Sequence, residues 1–90
     1  MTLDTKIIFI DTVFLQEVDD ETIILDTLTQ EYFSLNEVGG IFWQVLQEAP
    51  QLTDAYTLLK ESFDVPALRL EEDLLAFVDA LVQKKLISVK

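Results

Sequence analysis

Residues 31–43 read EYFSLNEVGGIFW and predict a strand that passes into a helix with almost no loop. Large strand-forming side chains fill residues 31–35. Asn36 follows, and its side-chain oxygen can accept a hydrogen bond from an amide of the first helical turn. Glu37 suits the positive end of the helix dipole. Apolar residues then recur at helical spacing, namely Val38, Ile41, Phe42, Val45 and Leu46. The sequence therefore places a strand-to-helix corner at the centre of the domain.

Two further strands are predicted before this corner. Residues 12–18 are β-branched and half apolar, and residues 22–26 form the next apolar segment. The acidic turn 19–21 separates these strands, and residues 27–30 form a second turn. Strands joined by such short turns predict an antiparallel three-stranded meander. The N-terminal segment Lys6–Ile10 is either another strand or an apolar arm laid on the domain.

Three helices are predicted after the meander. The first spans residues 37–48 and ends before Pro50, because the residue before proline disfavours helical backbone angles. Thr53 is the predicted N-cap of the second helix, whose inward positions are Ala55, Leu58, Leu59 and Phe63. Pro66 fits the first turn of a third helix over residues 66–84. Residues 86–89 suit a short terminal strand, so residues 1–90 form a single α+β domain.

The third helix has a wider apolar face than a small core requires. Its central stripe consists of Leu70, Leu74, Phe77, Val78 and Leu81. Leu75 and Val82 widen this face to roughly 160°, whereas one face against a core needs only about 100°. The surplus either lines a binding surface or packs against another helix or the tail.

Composition and charge restrict the class of protein. Half of the 90 residues are hydrophobic, which is typical of one small packed domain. The absence of cysteine favours a reducing cytoplasm. We expect no signal peptide, since no basic region or cleavage site follows Met1. The apolar runs are too short to span a membrane.

The net charge of −11, from 17 acidic and six basic residues, argues against a nucleic-acid partner. An acidic surface suits a neutral or basic partner such as a peptide, or it serves solubility alone.

Residues for catalysis and metal binding are scarce. The chain has no histidine and no cysteine, so the commonest general base, thiol nucleophile and soft metal ligands are missing. Gly39 and Gly40 lie inside the first helix rather than in a phosphate-binding loop. The acids at residues 19–21 and Asp26 lack calcium-loop spacing and are interpreted as solvated turn residues. We predict no catalytic, metal or cofactor site.

Strand 31–35 offers a binding site of another kind. If it lies at the edge of its sheet, no proline or lysine protects its free backbone groups. An unprotected edge beside a helix with surplus apolar surface favours addition of an extended peptide as a further strand. The alternatives are that the arm Lys6–Ile10 covers this edge, or that a second copy of the chain does so in a homodimer.

Two segments resemble the PqqD-like family of recognition elements for ribosomally made, post-translationally modified peptides. They are residues 25–39 (LDTLTQEYFSLNEVG), together with Ile41 and Trp43, and residues 73–87 (DLLAFVDALVQKKLI). The resemblance covers about residues 12–88. It implies a winged helix-turn-helix-like fold with a three-stranded antiparallel sheet followed by three helices. The chain departs from the family pattern at Gln30 and Lys85, where glycine is common, which puts the geometry of both turns in question.

The resemblance also implies a function. The leader of a precursor peptide would add to strand 31–35 and lie in the groove beside the third helix. The implied peptide-binding residues are Tyr32, Phe33, Ser34 and Leu35 on the strand, and Leu70, Asp73, Leu74 and Phe77 on the helix. The protein would present the leader to a maturation enzyme such as a leader peptidase, as in lasso-peptide systems, and would do no chemistry itself.

Three other functions remain as alternatives. One is a peptide chaperone of pyrroloquinoline quinone biosynthesis, and another is a dimerisation module without peptide cargo. The third is a winged-helix DNA-binding regulator, which requires a basic recognition helix. The third helix instead carries four acids, Glu71, Glu72, Asp73 and Asp79, against Arg69 and Lys84.

Overall fold

The predicted strands and helices all form, including the short terminal strand, and the N-terminal segment, predicted as a strand or an arm, is a strand. In the computed structural model, which describes all 90 residues, the elements are β1 (Ile7–Phe9), β2 (Val13–Val18), β3 (Glu21–Asp26), β4 (Tyr32–Leu35), α1 (Glu37–Glu48), α2 (Leu52–Ser62), α3 (Ala67–Gln83) and β5 (Ile87–Val89). Strands β2, β3 and β4 form an antiparallel sheet in that order. The predicted α+β fold, with a three-stranded sheet followed by three helices, is confirmed.

The two ends of the chain pair with each other. Strands β1 and β5 form a separate antiparallel sheet, and the Lys90 amide donates to the Lys6 carbonyl at 2.9 Å. The Ile7 amide donates to the Pro50 carbonyl at 2.7 Å, which ties β1 to the segment between α1 and α2. The N-terminal segment is therefore a strand of its own small sheet, and it does not cover β4.

The buried faces of α1 and α2 differ from the predicted ones. In α1 the buried residues are Gly39, Phe42, Trp43 and Leu46, so that Val38 is exposed. In α2 the prediction that Thr53 is the N-cap is wrong, because the N-cap is Gln51 and the Thr53 hydroxyl donates to the Leu3 carbonyl at 2.8 Å. The helix therefore starts two residues earlier than predicted; Leu52, Ala55 and Leu59 face the core and Leu58 is exposed.

The third helix packs through the predicted stripe. Its fully buried residues are Leu70, Leu74, Val78 and Leu81, and Phe77 and Leu75 flank them half-buried. Pro66 is the N-cap residue rather than part of the first turn. At 17 residues α3 is the longest helix, and no helix combines the length and apolarity needed to cross a bilayer.

Asp26 corrects the interpretation of the acidic residues. It lies at the opposite end of β3 from the exposed acids at 19–21, and it is only 4% exposed. Its Oδ1 accepts a hydrogen bond from the Leu28 amide at 2.9 Å. This bond, followed by one from the Thr12 side chain, holds the pKa of the Asp26 carboxyl below its ordinary value. The carboxylate therefore organises the turn between β3 and β4 instead of being solvated.

The two departures from the family's glycine pattern both adopt left-handed backbone angles. Gln30 has φ 68° and Lys85 has φ 60°. The Lys85 amide donates to the Val82 carbonyl and the Leu86 amide donates to the Leu81 carbonyl, both at 3.0 Å. These are the two hydrogen bonds of a Schellman motif, with Lys85 at the position where glycine is usual. The turn geometry is thus retained without glycine.

Lys85→Gly is expected to stabilise the domain by about 0.5–1 kcal/mol. A left-handed conformation costs a non-glycine residue about 1–2 kcal/mol, and the greater chain entropy of glycine offsets part of that gain. Urea unfolding followed by circular dichroism measures the difference. Lys84→Gly is the matched control, because Lys84 has right-handed angles (φ −82°, ψ −2°) and glycine should destabilise there. Equal destabilisation by both substitutions would contradict the prediction.

Candidate functional site

The outer edge of β4 is free, and the hydrogen-bond pattern shows which of its backbone groups are available. β4 pairs only with β3, in a register that places Phe33 opposite Ile24. In the same register the Asp26 amide donates to the Glu31 carbonyl at 2.9 Å. Hydrogen-bonded pairs alternate along an antiparallel ladder, so Phe33 also directs its amide and carbonyl towards β3. Tyr32 and Ser34 therefore direct theirs to the open edge.

A groove lies directly beside this edge. Its cavity of about 460 Å³ is lined by Phe33, Ser34, Leu35, Asn36, Gly39 and Phe77, and these six residues define the edge groove. Five of them come from the strand-to-helix corner, and Phe77 comes from α3. The corner and α3 thus meet at the free edge of the sheet, as the sequence predicted for strand 31–35 and the third helix.

Aromatic packing holds the α3 side of the edge groove in place. The ring of Phe77 lies edge-to-face with Phe33, with centroids 6.2 Å apart, and with the buried Phe42 at 5.5 Å. Such contacts add about 0.5–1.5 kcal/mol each beyond the area they bury. Phe77 is therefore a fixed wall that still presents part of its ring to the groove.

Asn36 and Gly39 shape the groove, although the sequence predicted only structural roles for them. The Asn36 Oδ1 accepts a hydrogen bond from the Gly39 amide at 2.7 Å, which fixes the start of α1. A Cβ atom at Gly39 would lie 3.3 Å from that Oδ1 and 3.4 Å from Phe77 Cε1. Glycine therefore leaves room for the Phe77 ring. The sequence signal for this role of Gly39 is its position, one helical turn after a strand at the edge of the sheet.

The residues predicted for peptide binding fall into two groups. Tyr32, Ser34 and Asp73 are exposed and Phe33 and Phe77 are half-exposed, so a ligand can reach all five. The remaining three, which were predicted as parts of the strand and helix wall, lie in the core, and they are Leu35, Leu70 and Leu74. Leu74 is 0% exposed because it lies on the centre of the α3 stripe. Leu70 and Leu74 therefore do not line the groove, whereas part of Leu35 does.

The polar side chains near the groove form only exposed contacts with other side chains. The Ser34 hydroxyl donates to Glu21 Oε1 at 2.6 Å on the solvent side of the sheet. Arg69 Nε lies 4.0 Å from Asp73 Oδ2, and both side chains are mostly exposed. Such surface pairs contribute little stability. Asp73 is therefore an exposed carboxylate without a strong ion-pair partner.

Trp43 does not belong to the edge groove. It is 3% exposed, packs edge-to-face on Phe9 at 5.3 Å, and lines a different cavity on the other side of α1. The sole tryptophan is therefore not a direct fluorescent reporter of the groove.

Comparisons with known proteins agree with this architecture. A family model described as "Coenzyme PQQ synthesis protein D (PqqD)" matches residues 21–87. The chain is similar to the solved structure of TbiB1 in complex with the TbiA(beta) leader peptide, at 30% identity and a TM-score of 0.78, covering 90% of this chain and 94% of that one. Its fold is also similar to that of lasso peptide synthetase B1 complexed with the leader peptide, at 20% identity and a TM-score of 0.75, covering 94% and 98% of the two chains.

No curated protein sequence matches the chain. The family match nevertheless extends from β3 to β5 and includes every residue of the edge groove. The chain therefore belongs to the PqqD family.

Proposed function

We propose that this protein binds the leader region of a ribosomally synthesised precursor peptide. The leader adds to β4 as a fourth strand of the sheet and lies in the edge groove beside α3. The observation that carries this proposal is the free edge, where Tyr32 and Ser34 point unpaired backbone groups towards the space next to an apolar groove. Strand addition uses such groups for affinity and adjacent pockets for specificity.

Each part of the site has a role in this proposal. The amide and carbonyl groups of Tyr32 and Ser34 pair with the leader backbone, which sets its register. Phe33 and Phe77 receive an apolar leader side chain in the cavity of about 460 Å³. Asp73, exposed on α3, pairs with a basic leader residue. Leu35, Leu70 and Leu74 keep the strand and the helix at a constant separation from beneath.

The ligand class is supported by the relatives. Both solved structures hold a leader peptide, and one of them is a lasso peptide synthetase component. We therefore favour a lasso-peptide type of system, in which the bound leader is presented to a separate maturation enzyme such as a leader peptidase. The edge groove is lined by no histidine, cysteine, lysine or carboxylate, so its own residues suit binding rather than acid–base or nucleophilic catalysis.

The second candidate is a peptide chaperone of pyrroloquinoline quinone biosynthesis, which the description of the matching family model favours. It would use the same edge groove with a different precursor. The identity of the leader that binds separates the two candidates.

The proposed function is tested by titrating the protein with the leader encoded by a neighbouring precursor gene. Isothermal calorimetry should show saturable one-to-one binding that persists at moderate salt, because pairing to β4 is mostly backbone-mediated. Duplex DNA serves as the comparison ligand and should not bind, since the net charge is −11 and α3 is acidic. Binding of DNA at moderate salt without a response to any such leader would refute the proposal.

A further inference from the structure

A second and larger cavity lies on the other side of α1. Its volume is about 570 Å³, and it is an open cavity bordered by the β2–β3 hairpin, the end of β4 and α1. Its apolar part consists of Leu15, Leu35, Ile41 and Trp43. We call it the hairpin cavity. It shares only Leu35 and Asn36 with the edge groove.

The rim of the hairpin cavity is anionic and has no balancing cation. Glu17, Asp20 and Glu37 line it, together with neutral polar residues. An adjoining polar recess is lined by Glu17, Asp19, Asp20 and Thr22. Residues 7–59, which supply all of this surface, contain no lysine, arginine or histidine. A cationic ligand would therefore meet a negative electrostatic potential over the whole face.

The cavity is kept open at a cost to the helix. Gly40 lines it from the interior of α1, where glycine is less favourable than alanine. A Cβ atom at Gly40 would have no neighbour within 4 Å, so no internal contact requires glycine there. An unfavourable helix residue that no internal contact requires suits a surface that is completed by a ligand.

We propose that the hairpin cavity is a second binding site, which takes a partly aliphatic segment bearing lysine or arginine from a partner protein. The long stem of such a side chain packs on Leu15 and Ile41, and its cationic end reaches the carboxylates of Glu17 and Asp20. A second copy of this chain is disfavoured as occupant by its own charge of −11. Because the cavity and the edge groove share so little lining, both can be filled at once. The partner is then the enzyme to which the leader is presented, an identity that rests on the proposed function.

The site is tested with a probe peptide, acetyl-Leu-Arg-Leu-Arg-Leu-amide, and its neutral counterpart in which glutamine replaces arginine. Nuclear magnetic resonance titration of the full chain should show shifts at Glu17, Gly40, Gln44 and the Trp43 indole. Raising the salt concentration to 0.5 M should weaken binding, since the Debye length shortens to a few ångströms. Equal binding of the neutral peptide, or absence of shifts at these residues, would overturn the proposal.

Two variants and a matched control sharpen the test. Gly40→Leu fills the cavity and should raise the Tm while it weakens probe binding at least tenfold, a combination that a folding defect cannot produce. Glu17→Gln combined with Asp20→Asn should weaken binding about tenfold. Glu61→Gln combined with Glu72→Gln removes the same charge from exposed positions elsewhere and should leave binding unchanged. Unchanged binding in Gly40→Leu, or equal losses in the two charge variants, would refute the site.

This test is independent of the leader-binding proposal. A Ser34→Pro variant blocks only the β4 edge and should bind the probe like the parent chain. If leader binding fails while the probe still maps to the hairpin cavity, the second site stands and only the identity of its partner is withdrawn. If the probe shifts map to Phe33 and Phe77 instead, the second site is refuted.

Discussion

Proline at position 34 is expected to block leader binding in a folded domain, whereas proline at position 33 is expected to unfold it. Ser34 directs its amide to the open edge, and edge strands tolerate proline at such positions. The substitution removes a donor that the leader backbone needs. The leader carbonyl that loses this donor is left unsatisfied, which costs about 1–3 kcal/mol, or roughly 5- to 150-fold in Kd. Phe33 directs its amide to β3, so proline there removes a ladder hydrogen bond and leaves its partner on β3 unpaired, which costs about 1–3 kcal/mol, and the packing of the Phe33 ring is lost as well.

Calorimetry with the leader and circular dichroism of the free protein measure the two effects. Alanine at each position is the control, because it keeps the amide and removes only the side chain. Ser34→Ala loses the exposed hydrogen bond to Glu21 and should bind within about threefold of the parent. If both proline variants fold and bind with unchanged affinity, the leader does not pair with β4.

Phe77→Asp is expected to weaken leader binding by about 100-fold or more. Phe77 lines the edge groove between Phe33 and the buried Phe42, and aspartate would place a charge where an apolar anchor is to bind. Uncompensated burial of a charge or the loss of a central aromatic contact each costs about 2 kcal/mol or more. Calorimetry measures the affinity, and urea unfolding shows how much stability the domain loses with the ring.

Two neighbouring positions on α3 give the comparison. Ala76→Asp introduces the same charge at an exposed site and should leave leader binding nearly unchanged. Leu74→Asp places the charge at a fully buried position, so it should prevent folding rather than act on the groove. A folded Phe77→Asp variant with parental affinity would show that α3 is not a wall of the leader site.

The central corner could be predicted from the sequence because its determinants are local. The Asn36 side chain caps α1 by accepting a hydrogen bond from the Gly39 amide, only three residues later. The boundaries of α1 agree with those predicted, 37–48. The turns between the strands are equally short, so order and pairing of β2, β3 and β4 follow from neighbours along the chain. The resemblance carried by residues 25–39 and 73–87 added the family, which the family model confirms.

The faces of the helices could not be predicted to the same degree. Helical spacing alone allowed Val38 and Leu58 to point inward, but both are exposed. The direction of a helix face depends on which element packs across from it, and those elements are distant in sequence. For the same reason Leu70 and Leu74 were assigned to an accessible wall, although packing beneath the groove buries them.

By itself the sequence determined the strand-to-helix corner, the α+β class, the acidic charge and the edge strand as the candidate site, since each rests on residues close together or on composition. Only the tertiary structure decided that the N-terminal segment pairs with β5 and leaves β4 free. It also decided that Ser34, and not Phe33, directs its amide to the open edge, and that Phe77 lies beside that edge. Each of these outcomes depends on the register or the packing of segments far apart in the chain, which no local pattern encodes.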